Sequence, residues 1–449
     1  MTSERLVVVG GDAAGMSAAS QARRMRGPDD LEIVAFERGP RTSYAACGIP
    51  YRVAGLVGEM DDLVARTPEA FRTRQHIDVH TRHEVTGIDL AARTVEVHDL
   101  DAGASRTEGF DTLLVGTGAR PIRPPLPGID LPFVHTVHTL DDGEALLALT
   151  KEGDVQRVVV VGGGFIGLEM AEAFVLQGVP TTMVEATDQI MRTLDAELAE
   201  LVAAAVLAEG VDLQVGNPVV GFEPGRVLTE AGPIDADLVV LGIGLQPNGE
   251  LAGAAGLELG VRGAIRVDDH QRATADGVYA AGDCVESRHL VTGEPTYVAL
   301  GTVANRQGRV AGINLGGGDA RFPGVLGSAV TRFCDLEIGH TGLTEVAAVA
   351  AGLDATAAVI DGKVRAHYFP GADPITMKLV VERGTGRLLG GQIVGGKGAA
   401  KRIDVVATAI TAGLRGRAGR GRPLLRPAVL PGLGPGAHRR PPGRPPPAG

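Results

Sequence analysis

One cysteine in the sequence has neighbours that suit sulfur chemistry. Cys47 lies in the stretch S-Y-A-A-C-G-I-P-Y at residues 43–51, where small side chains leave room for something flat and bulky to approach. Pro50 suits the first turn of a helix, and the positive end of a helix dipole favours the reactive thiolate. A free cysteine is also commonly a small buried core residue. The stretch alone leaves both interpretations open.

The N-terminal residues have the pattern of a dinucleotide-binding unit. An apolar run at residues 5–9 predicts a buried parallel strand, and a glycine-rich turn at residues 10–15 leads into a predicted helix. A second strand at residues 31–36 ends at Glu37, where a carboxylate could bind ribose hydroxyls. Because Asp12 replaces the middle glycine of G-x-G-x-x-G, this copy is imperfect, and a glycine-rich turn without a ligand remains the alternative.

A second copy of the pattern is intact. An apolar run at residues 157–161 leads into G-G-G-F-I-G at residues 162–167, which holds all three glycines of the fingerprint. A helix and a strand at residues 181–184 follow, and Glu185 ends that strand. A carboxylate accepts a hydrogen bond from the 2′-hydroxyl of NAD and repels a 2′-phosphate, so Glu185 favours NADH over NADPH.

Later stretches predict further parts of the same architecture. Residues 111–121 predict a strand that closes on a turn of small residues. Residues 274–283 predict a strand that ends at Gly282 and Asp283, and residues 297–312 predict a helix. A carboxylate just beyond a strand can reach a polyol in the crevice outside the sheet.

From about residue 322 the pattern changes to short alternating strands. We predict them at residues 327–332, 363–368, 376–382 and 390–394, followed by a helix at residues 401–412. These elements predict an α+β module that is distinct from the nucleotide-binding units.

Composition restricts the class of protein. The chain has 449 residues, of which 44% are hydrophobic and 22% charged, as in a soluble globular enzyme of several domains. Its net charge of −11 gives no reason to expect nucleic-acid binding. The three cysteines form no CxxC or metal-type pair, so we predict neither a disulfide scaffold nor a metal site. We see no signal peptide or membrane-spanning run and expect a cytoplasmic protein.

With these stretches in order, residues 4–413 resemble the FAD-dependent pyridine nucleotide-disulfide oxidoreductases. The similarity is greatest to the branch of coenzyme A-disulfide reductases and single-cysteine NADH oxidases. The resemblance implies an α/β fold with two Rossmann-like dinucleotide-binding domains and a C-terminal α+β dimerisation domain. It implies an FAD-binding domain at residues 1–118 and 245–322, an NAD(P)H-binding domain at residues 119–244 and a dimerisation domain at residues 323–413.

The absence of a second nearby cysteine selects the branch. Other members carry C-x-x-x-x-C, whereas Arg52 stands five residues after Cys47. The second sulfur must then come from the substrate, or Cys47 must pass through a sulfenic acid. Ala13 stands where oxidase and peroxidase members carry a histidine, which favours coenzyme A disulfide or a related small disulfide as substrate. The alternatives are an NADH oxidase or persulfide reductase acting through Cys47, or a flavin-dependent electron-transfer component that reduces a partner protein.

The resemblance also implies ligand-binding residues. For FAD they are Gly10, Gly11, Ala14, Gly15, Glu37, Arg38, Thr117, Gly118, Gly282, Asp283 and Ala299. For the nicotinamide nucleotide they are Gly162, Gly164, Phe165, Ile166, Gly167, Glu169 and Glu185. Phe165 is expected to shield the flavin until nicotinamide arrives. Gln21, Arg24 and Ser43 are the implied substrate contacts, although a solvated helix face explains Gln21 and Arg24 equally well.

The implied catalytic residues are Cys47 and Tyr368, with Tyr368 reaching the active site of the other subunit of a homodimer. Residues 414–449 depart from the family pattern, and residues 415–449 contain 8 Arg, 9 Pro, 8 Gly and no acidic residue. We predict that this tail is disordered or read out of frame, with a functional basic arm as the alternative. Because it replaces family sequence that completes the partner's site, we predict a weakened dimer or a protein prone to aggregate.

Overall fold

The computed structural model of the chain describes residues 3–151, 153 and 155–415. Its first segment forms a parallel sheet, whose central strands are continuous apolar runs because both faces are buried, and a separate antiparallel sheet of three strands at residues 83–109. The elements are β1 (Glu4–Val9), α1 (Ala13–Met25), β2 (Leu31–Glu37), α2 (Ile49–Val53), α3 (Pro68–Gln75), β3 (Asp78–Thr81), β4 (His83–Asp89), β5 (Thr94–Asp99), β6 (Ala104–Gly109) and β7 (Thr112–Val115).

The next segment repeats this construction. Its elements are β8 (Ala119–Pro121), β9 (Val134–Thr136), α4 (Leu140–Lys151), β10 (Val158–Val161), α5 (Phe165–Leu176), β11 (Thr181–Val184), α6 (Ala196–Ala208), β12 (Asp212–Gln214), β13 (Val219–Glu223), β14 (Arg226–Thr229), β15 (Gly232–Asp235), β16 (Leu238–Leu241) and β17 (Leu245–Pro247). Strands β8 and β17 pair antiparallel, so the chain enters and leaves this segment along one two-stranded ribbon.

The chain then returns to the first sheet. The elements are α7 (Glu250–Ala254), β18 (Val278–Ala280), β19 (Ser287–Arg288), β20 (Pro295–Thr296) and α8 (Gly301–Leu315). The two parallel sheets have strand orders β3-β2-β1-β7-β18 and β12-β11-β10-β16-β9. Each places its glycine loop beyond the central strand, where an open α/β sheet binds ligands.

The last part of the described chain is an antiparallel sheet covered by a helix. Its elements are β21 (Ala329–Phe333), β22 (Leu336–Gly342), α9 (Glu345–Ala350), β23 (Ala355–Lys363), β24 (Pro374–Glu382), β25 (Leu388–Gly395) and α10 (Ile403–Thr411), with strand order β21-β22-β25-β24-β23. Two Rossmann-like units and a C-terminal α+β module confirm the predicted fold class. Among the described residues, no helix has the length and apolar character required to span a membrane.

Several predicted bounds were wrong. The strand predicted at residues 363–368 ends at Lys363, because Lys363 pairs with Pro374 and residues 364–373 form the loop between β23 and β24. The helix predicted to begin at residue 297 begins at Gly301, because the chain before it is extended along Asp283. Strand β22 and most of β23 were missed. The tail was predicted for residues 414–449, of which residues 416–449 lie outside the described residues.

Helices α1 and α8 cross with their backbones in contact. A Cβ atom at Gly308 would overlap the backbone oxygen of Ala14, and one at Gly312 would overlap that of Ala18. Ala14 lies in the first turn of α1, directly after the first glycine loop. The crossing therefore fixes that loop against the helix that follows Asp283.

Candidate active site

The first glycine loop is shaped by close backbone contacts. Gly10 has φ of +102°, and a Cβ atom there would overlap the carbonyl of Gly116 at the end of β7. A Cβ atom at Gly15 would overlap the carbonyl of Gly10. These glycines let the N-terminus of α1 approach the ends of the strands, where its free N–H groups suit a pyrophosphate.

Both nucleotide loops are held by the acidic residue that ends the second strand. Glu37 Oε2 accepts a hydrogen bond from the Gly11 N–H at 2.7 Å, and Glu185 Oε2 accepts one from the Gly163 N–H at 2.8 Å. The remaining oxygens are also fixed, since Glu185 Oε1 accepts from the Thr187 hydroxyl at 2.8 Å. Each carboxylate is therefore fixed at the carboxyl end of its strand, the place predicted for a ribose.

The environment of Asp283 indicates whether this site suits a flavin nucleotide. It follows Gly282, which has φ of +92°, at the end of β18. Among the described residues, its Oδ1 is buried and has no hydrogen-bond partner. Burial raises the pKa of Asp283 to about 6. A buried carboxylate oxygen without a partner requires a donor, and the ribityl hydroxyls of FAD are such donors. The residues present therefore fit FAD.

The structure gives the remaining predicted FAD residues a variety of environments. The Thr117 hydroxyl donates to the Asn248 carbonyl at 2.7 Å, and Gly118 turns the chain with φ of +64°. Ala299 lies in the extended stretch before α8. Arg38 is exposed and lies 3.6 Å from Glu84, so its contact with a ligand stays a prediction.

Cys47 is exposed, which contradicts the interpretation of a buried core residue. It lies in the 3-10 turn Ala46–Gly48, directly before α2. Buried Ile49 and Val53 anchor that helix. Cys284 is buried and Cys334 partly buried, and all three cysteines are unpaired, so Cys47 has no internal disulfide partner.

Other groups around Cys47 oppose the thiolate that the start of the helix was predicted to favour. The residues around Cys47 shield it partly from water, and this partial burial, followed by the negative charges of Glu169 and Asp283, raises the pKa of Cys47. Helix α2 has five residues, so its dipole is short and does not offset these effects. The protein part of the site on its own favours the neutral thiol.

One face of α5 joins the second nucleotide loop to the third domain. Phe165, Glu169 and Glu172 are spaced i, i+4 and i+7, so they share a face of the helix. The Phe165 ring lies 5.7 Å, between centroids, from the ring of His340 on β22. The Thr331 hydroxyl donates to Glu169 Oε1 at 2.8 Å, and the Cys334 N–H donates to Glu172 Oε1 at 3.1 Å.

Burial opposes the charged form of each of these polar groups. It lowers the pKa of His340 to about 4 and raises the pKa of both Glu169 and Glu172. His340 therefore meets Phe165 as an uncharged aromatic ring. Glu169 lies near enough to Cys47 for its charge to raise the pKa of the thiol, and its place beside the nicotinamide stays a prediction.

A cleft of about 680 Å³ brings together the three predicted substrate contacts. Gln21, Arg24 and Ser43 all line it, and Arg24 donates a hydrogen bond to Gln21 Oε1 at 3.0 Å on the exposed side of α1. Ser43 belongs to the loop that carries Cys47. Arg66 and Arg309 also line the cleft and were missed by the sequence analysis. No described carboxylate forms an ion pair with any of its three arginines, so they remain available for an anion.

Tyr368 is not brought to Cys47 within the single chain. It lies in an exposed turn of the third domain, with 78% of its surface accessible, and its ring meets His367 edge-on. Among the described residues, no hydrogen bond joins it to the cysteine loop. Its role across subunits stays a prediction.

An acidic group elsewhere has the composition of a cation site. Asp268, Asp269 and His270 lie together beside β18 of the first sheet. The His270 ring nitrogens lie 2.9 Å from Asp269 and 2.8 Å from Asp319, so the histidine already has partners on both sides. We assign no metal there.

Comparison with known proteins places the chain among flavoprotein reductases. The family model of pyridine nucleotide-disulphide oxidoreductases matches residues 4–308, and that of their dimerisation domain matches residues 328–418. The chain is similar to the NAD(P)H coenzyme A polysulfide/persulfide reductase of Pyrococcus horikoshii, with 39% identity over 415 residues and 91% of each chain covered. It is similar to the coenzyme A disulfide reductase of Staphylococcus aureus, with 27% identity over 408 residues, covering 90% of this chain and 92% of that one. The solved NAD-dependent persulfide reductase from A. fulgidus has a TM-score of 0.90 and 39% identity, and the match covers 95% of this chain and 81% of that one.

Proposed function

Because the chain belongs to the pyridine nucleotide-disulphide oxidoreductase family of FAD-dependent enzymes, we propose that it uses NADH to reduce coenzyme A disulfide at Cys47. The observation that carries this proposal is an exposed, unpaired thiol on a loop that borders an arginine-lined cleft. A disulfide whose ends bear phosphates suits this arrangement, because its S–S bond can react with the thiol while its phosphates bind the arginines of the cleft.

The reaction needs one sulfur from the protein. The Cys47 thiolate attacks the substrate disulfide, one S–S bond breaks, and a Cys47–coenzyme A disulfide forms as the first thiolate leaves. Bound FAD supplies the passage of two electrons from NADH to this mixed disulfide. The second thiol then leaves and the Cys47 thiolate is restored. In total, one disulfide, one NADH and one proton give two thiols and NAD⁺.

The cleft accounts for the choice of substrate. Arg24, Arg66 and Arg309 present three guanidinium groups, whose planar donors bind phosphate oxygens in pairs. The guanidinium carbon of Arg66 also lies 5.8 Å from the centre of the Phe71 ring, and this contact restrains the arginine side chain. A small neutral disulfide would leave all three groups without a ligand.

We assign FAD to residues 1–118 and 245–322, the nicotinamide nucleotide to residues 119–244 and dimerisation to residues 323–413. The ribbon of β8 and β17 supports the first two boundaries, because the chain passes between the sheets there. A homodimer would bring the exposed Tyr368 turn to a neighbouring subunit. Free thiols of this kind suit a reducing compartment such as the cytoplasm.

A coenzyme A persulfide is the second candidate substrate. The relative from P. horikoshii at 39% identity is named for polysulfide and persulfide reduction, whereas the disulfide reductase is 27% identical. The same cysteine and cleft would serve both, since both substrates carry the coenzyme A nucleotide. Comparing kcat/KM for the two substrates at equal NADH separates them.

The role of the thiol is tested with Cys47→Ser. We expect disulfide reduction to fall at least about 10³-fold, while FAD content and NADH binding stay unchanged. Cys334→Ser is the matched control, because that cysteine is partly exposed but lies in the β21–β22 turn. Full turnover by Cys47→Ser would exclude every thiol mechanism and favour the electron-transfer alternative.

The role of the cleft is tested with two disulfides. Coenzyme A disulfide and pantethine share the same disulfide arm, but pantethine lacks the nucleotide phosphates. Replacing Arg24, Arg66 and Arg309 by Ala should lower kcat/KM about 10–100-fold for coenzyme A disulfide, or roughly 1.4–2.7 kcal/mol, and less than about twofold for pantethine. Arg226→Ala, on β14, is the control. Equal losses with both disulfides would contradict phosphate recognition by these arginines.

A further inference from the structure

Asp12 is a carboxyl group inside the first glycine loop, where the usual motif has a glycine. It precedes α1 with extended backbone angles and forms the N-cap of that helix. Its Oδ1 accepts a hydrogen bond from the Tyr44 N–H at 3.1 Å. Asp12 therefore links the loop predicted for the flavin pyrophosphate to the loop that carries Cys47.

The charged groups around Asp12 are mostly acidic. Glu37 approaches from the end of β2 and Asp283 from the end of β18, and both act on it as negative charges. Arg41, near the start of the cysteine loop, is occupied by Asp141 and Glu144 at 2.6 Å each. Among the described residues, no lysine or arginine forms an ion pair with Asp12.

Its protonation follows from this environment. Burial, together with the charges of Glu37 and Asp283, outweighs the hydrogen bonds from the Tyr44 and Ala13 N–H groups and raises the pKa of Asp12 to about 7. The Tyr44 hydroxyl stays neutral throughout the physiological range, because burial and the charges of Asp12 and Glu37 raise its pKa. Asp12 can therefore change protonation near neutral pH while the Tyr44 hydroxyl remains neutral.

We propose that Asp12 binds the flavin nucleotide as a neutral carboxylic acid, so that FAD binding takes up a proton. This inference rests on the FAD site of the proposed function. A pyrophosphate at the N-terminus of α1 brings two negative charges to the residue that begins the helix. An ionised Asp12 would repel it, whereas the protonated form removes the repulsion and offers an O–H donor.

Asp12 and Asp283 should change the FAD affinity in opposite directions as the pH rises, so their effects can be told apart. Above the Asp12 pKa of about 7, binding must add a proton, so affinity should fall by up to about tenfold per pH unit. Asp283 should accept hydrogen bonds from ribityl hydroxyls as a carboxylate. Below its pKa of about 6, binding must remove a proton, so affinity should rise with pH. We expect the highest affinity between these values.

The test uses the purified full-length flavoprotein, with dissociated FAD measured by its fluorescence on dilution between pH 5 and pH 9. Wild-type protein should lose affinity steadily above pH 7. Asp12→Asn should show no slope there while keeping the rise below pH 6, and Asp283→Asn should show the reverse. A wild-type affinity that is constant above pH 7, or an Asp12→Asn slope equal to that of wild type, would overturn the proposal.

A second measurement covers the case in which Asp12→Asn loses its flavin altogether. Titration of the flavin-free wild-type chain with FAD at pH 8, in two buffers of different ionisation enthalpy, gives the number of protons taken up. We expect close to one proton per FAD, and a value near zero would contradict the role of Asp12. A protein that binds no FAD at any pH would instead contradict the proposed function itself.

Discussion

The guanidinium carbon of Arg332 lies 5.5 Å from the centre of the Tyr51 ring. Tyr51 is on α2, one turn after Cys47, whereas Arg332 is on β21 of the third domain. The Arg332 Nε also lies 3.4 Å from Oε1 of the buried Glu172 on α5. One side chain of the third domain thus contacts the helices of both nucleotide-binding units next to the reactive cysteine.

Replacing Arg332 by Met should destabilise the protein because it leaves Glu172 without its cation. We expect the free energy of unfolding to fall by about 1–3 kcal/mol, less than for a fully buried pair because Arg332 is half exposed. Adding Glu172→Gln should restore much of the loss. Denaturant unfolding of both single variants and the double variant measures the coupling, and strictly additive effects would contradict it.

Glu185→Gln should reduce the preference for NADH. The substitution removes the charge that repels a 2′-phosphate but keeps an amide oxygen for the Gly163 N–H. We expect the ratio of kcat/KM for NADH to that for NADPH to fall by about tenfold, or roughly 1.4 kcal/mol. Steady-state kinetics with both nucleotides tests this, with Glu200→Gln on the exposed face of α6 as control. A wild-type enzyme that prefers NADPH would refute the assignment.

Lys378→Met should be among the most destabilising single substitutions. The Lys378 Nζ lies 2.9 Å from Asp195, 2.6 Å from Glu197 and 2.9 Å from Glu345, and both Lys378 and Asp195 are almost fully buried. Removing the cation leaves three carboxylates unpaired, and we expect a loss of about 3–5 kcal/mol. Denaturant unfolding at neutral pH measures it, and a change below about 1 kcal/mol would contradict the inferred strength of the cluster.

The same cluster predicts how stability depends on pH. Burial opposes ionisation of Asp195, but hydrogen bonds from Glu345, Lys378 and Gln392 outweigh it and lower its pKa. Its contribution is therefore present above the unfolded pKa of about 3.9 and is lost as the pH falls further. Burial likewise opposes the charge on Lys378, but its three carboxylates raise its pKa. That contribution is complete below about pH 10.4 and is lost above it. The difference in unfolding free energy between wild type and Lys378→Met should therefore become smaller at both low and high pH.

Tyr368 should act on the Cys47 of the other subunit, as a proton donor to the departing thiolate. We expect Tyr368→Phe to lower disulfide turnover by about 10²-fold with FAD content unchanged. A heterodimer of one Cys47→Ser chain and one Tyr368→Phe chain then contains one intact site and should regain activity. A role within one chain would leave that heterodimer inactive. Sedimentation velocity over a dilution series establishes whether the dimer forms.

Local features of the site could be predicted from the sequence, because residues close together in the chain determine them. The glycine loops, Glu37, Glu185 and the turn carrying Cys47 all depend on neighbouring residues. Arg332, His340 and Lys378 were missed, because each contacts a residue that is remote in the sequence, namely Glu172, Phe165 and Asp195, and has no pattern of its own. The rise in the pKa of Cys47 could not be predicted either, because it comes from burial and then from Glu169 and Asp283, which are remote in the chain.

The backbone contact between α1 and α8 limits which sequences can be more heat-resistant. Exchanging a helical glycine for alanine ordinarily gains about 0.5–1 kcal/mol, so such exchanges are a common route to thermostable variants. At Gly308 and Gly312 the added methyl group would overlap the carbonyl oxygens of Ala14 and Ala18. The helices would have to separate, and the displacement would begin at the turn next to the flavin loop. Lineages that adapt to hot environments should therefore retain both glycines.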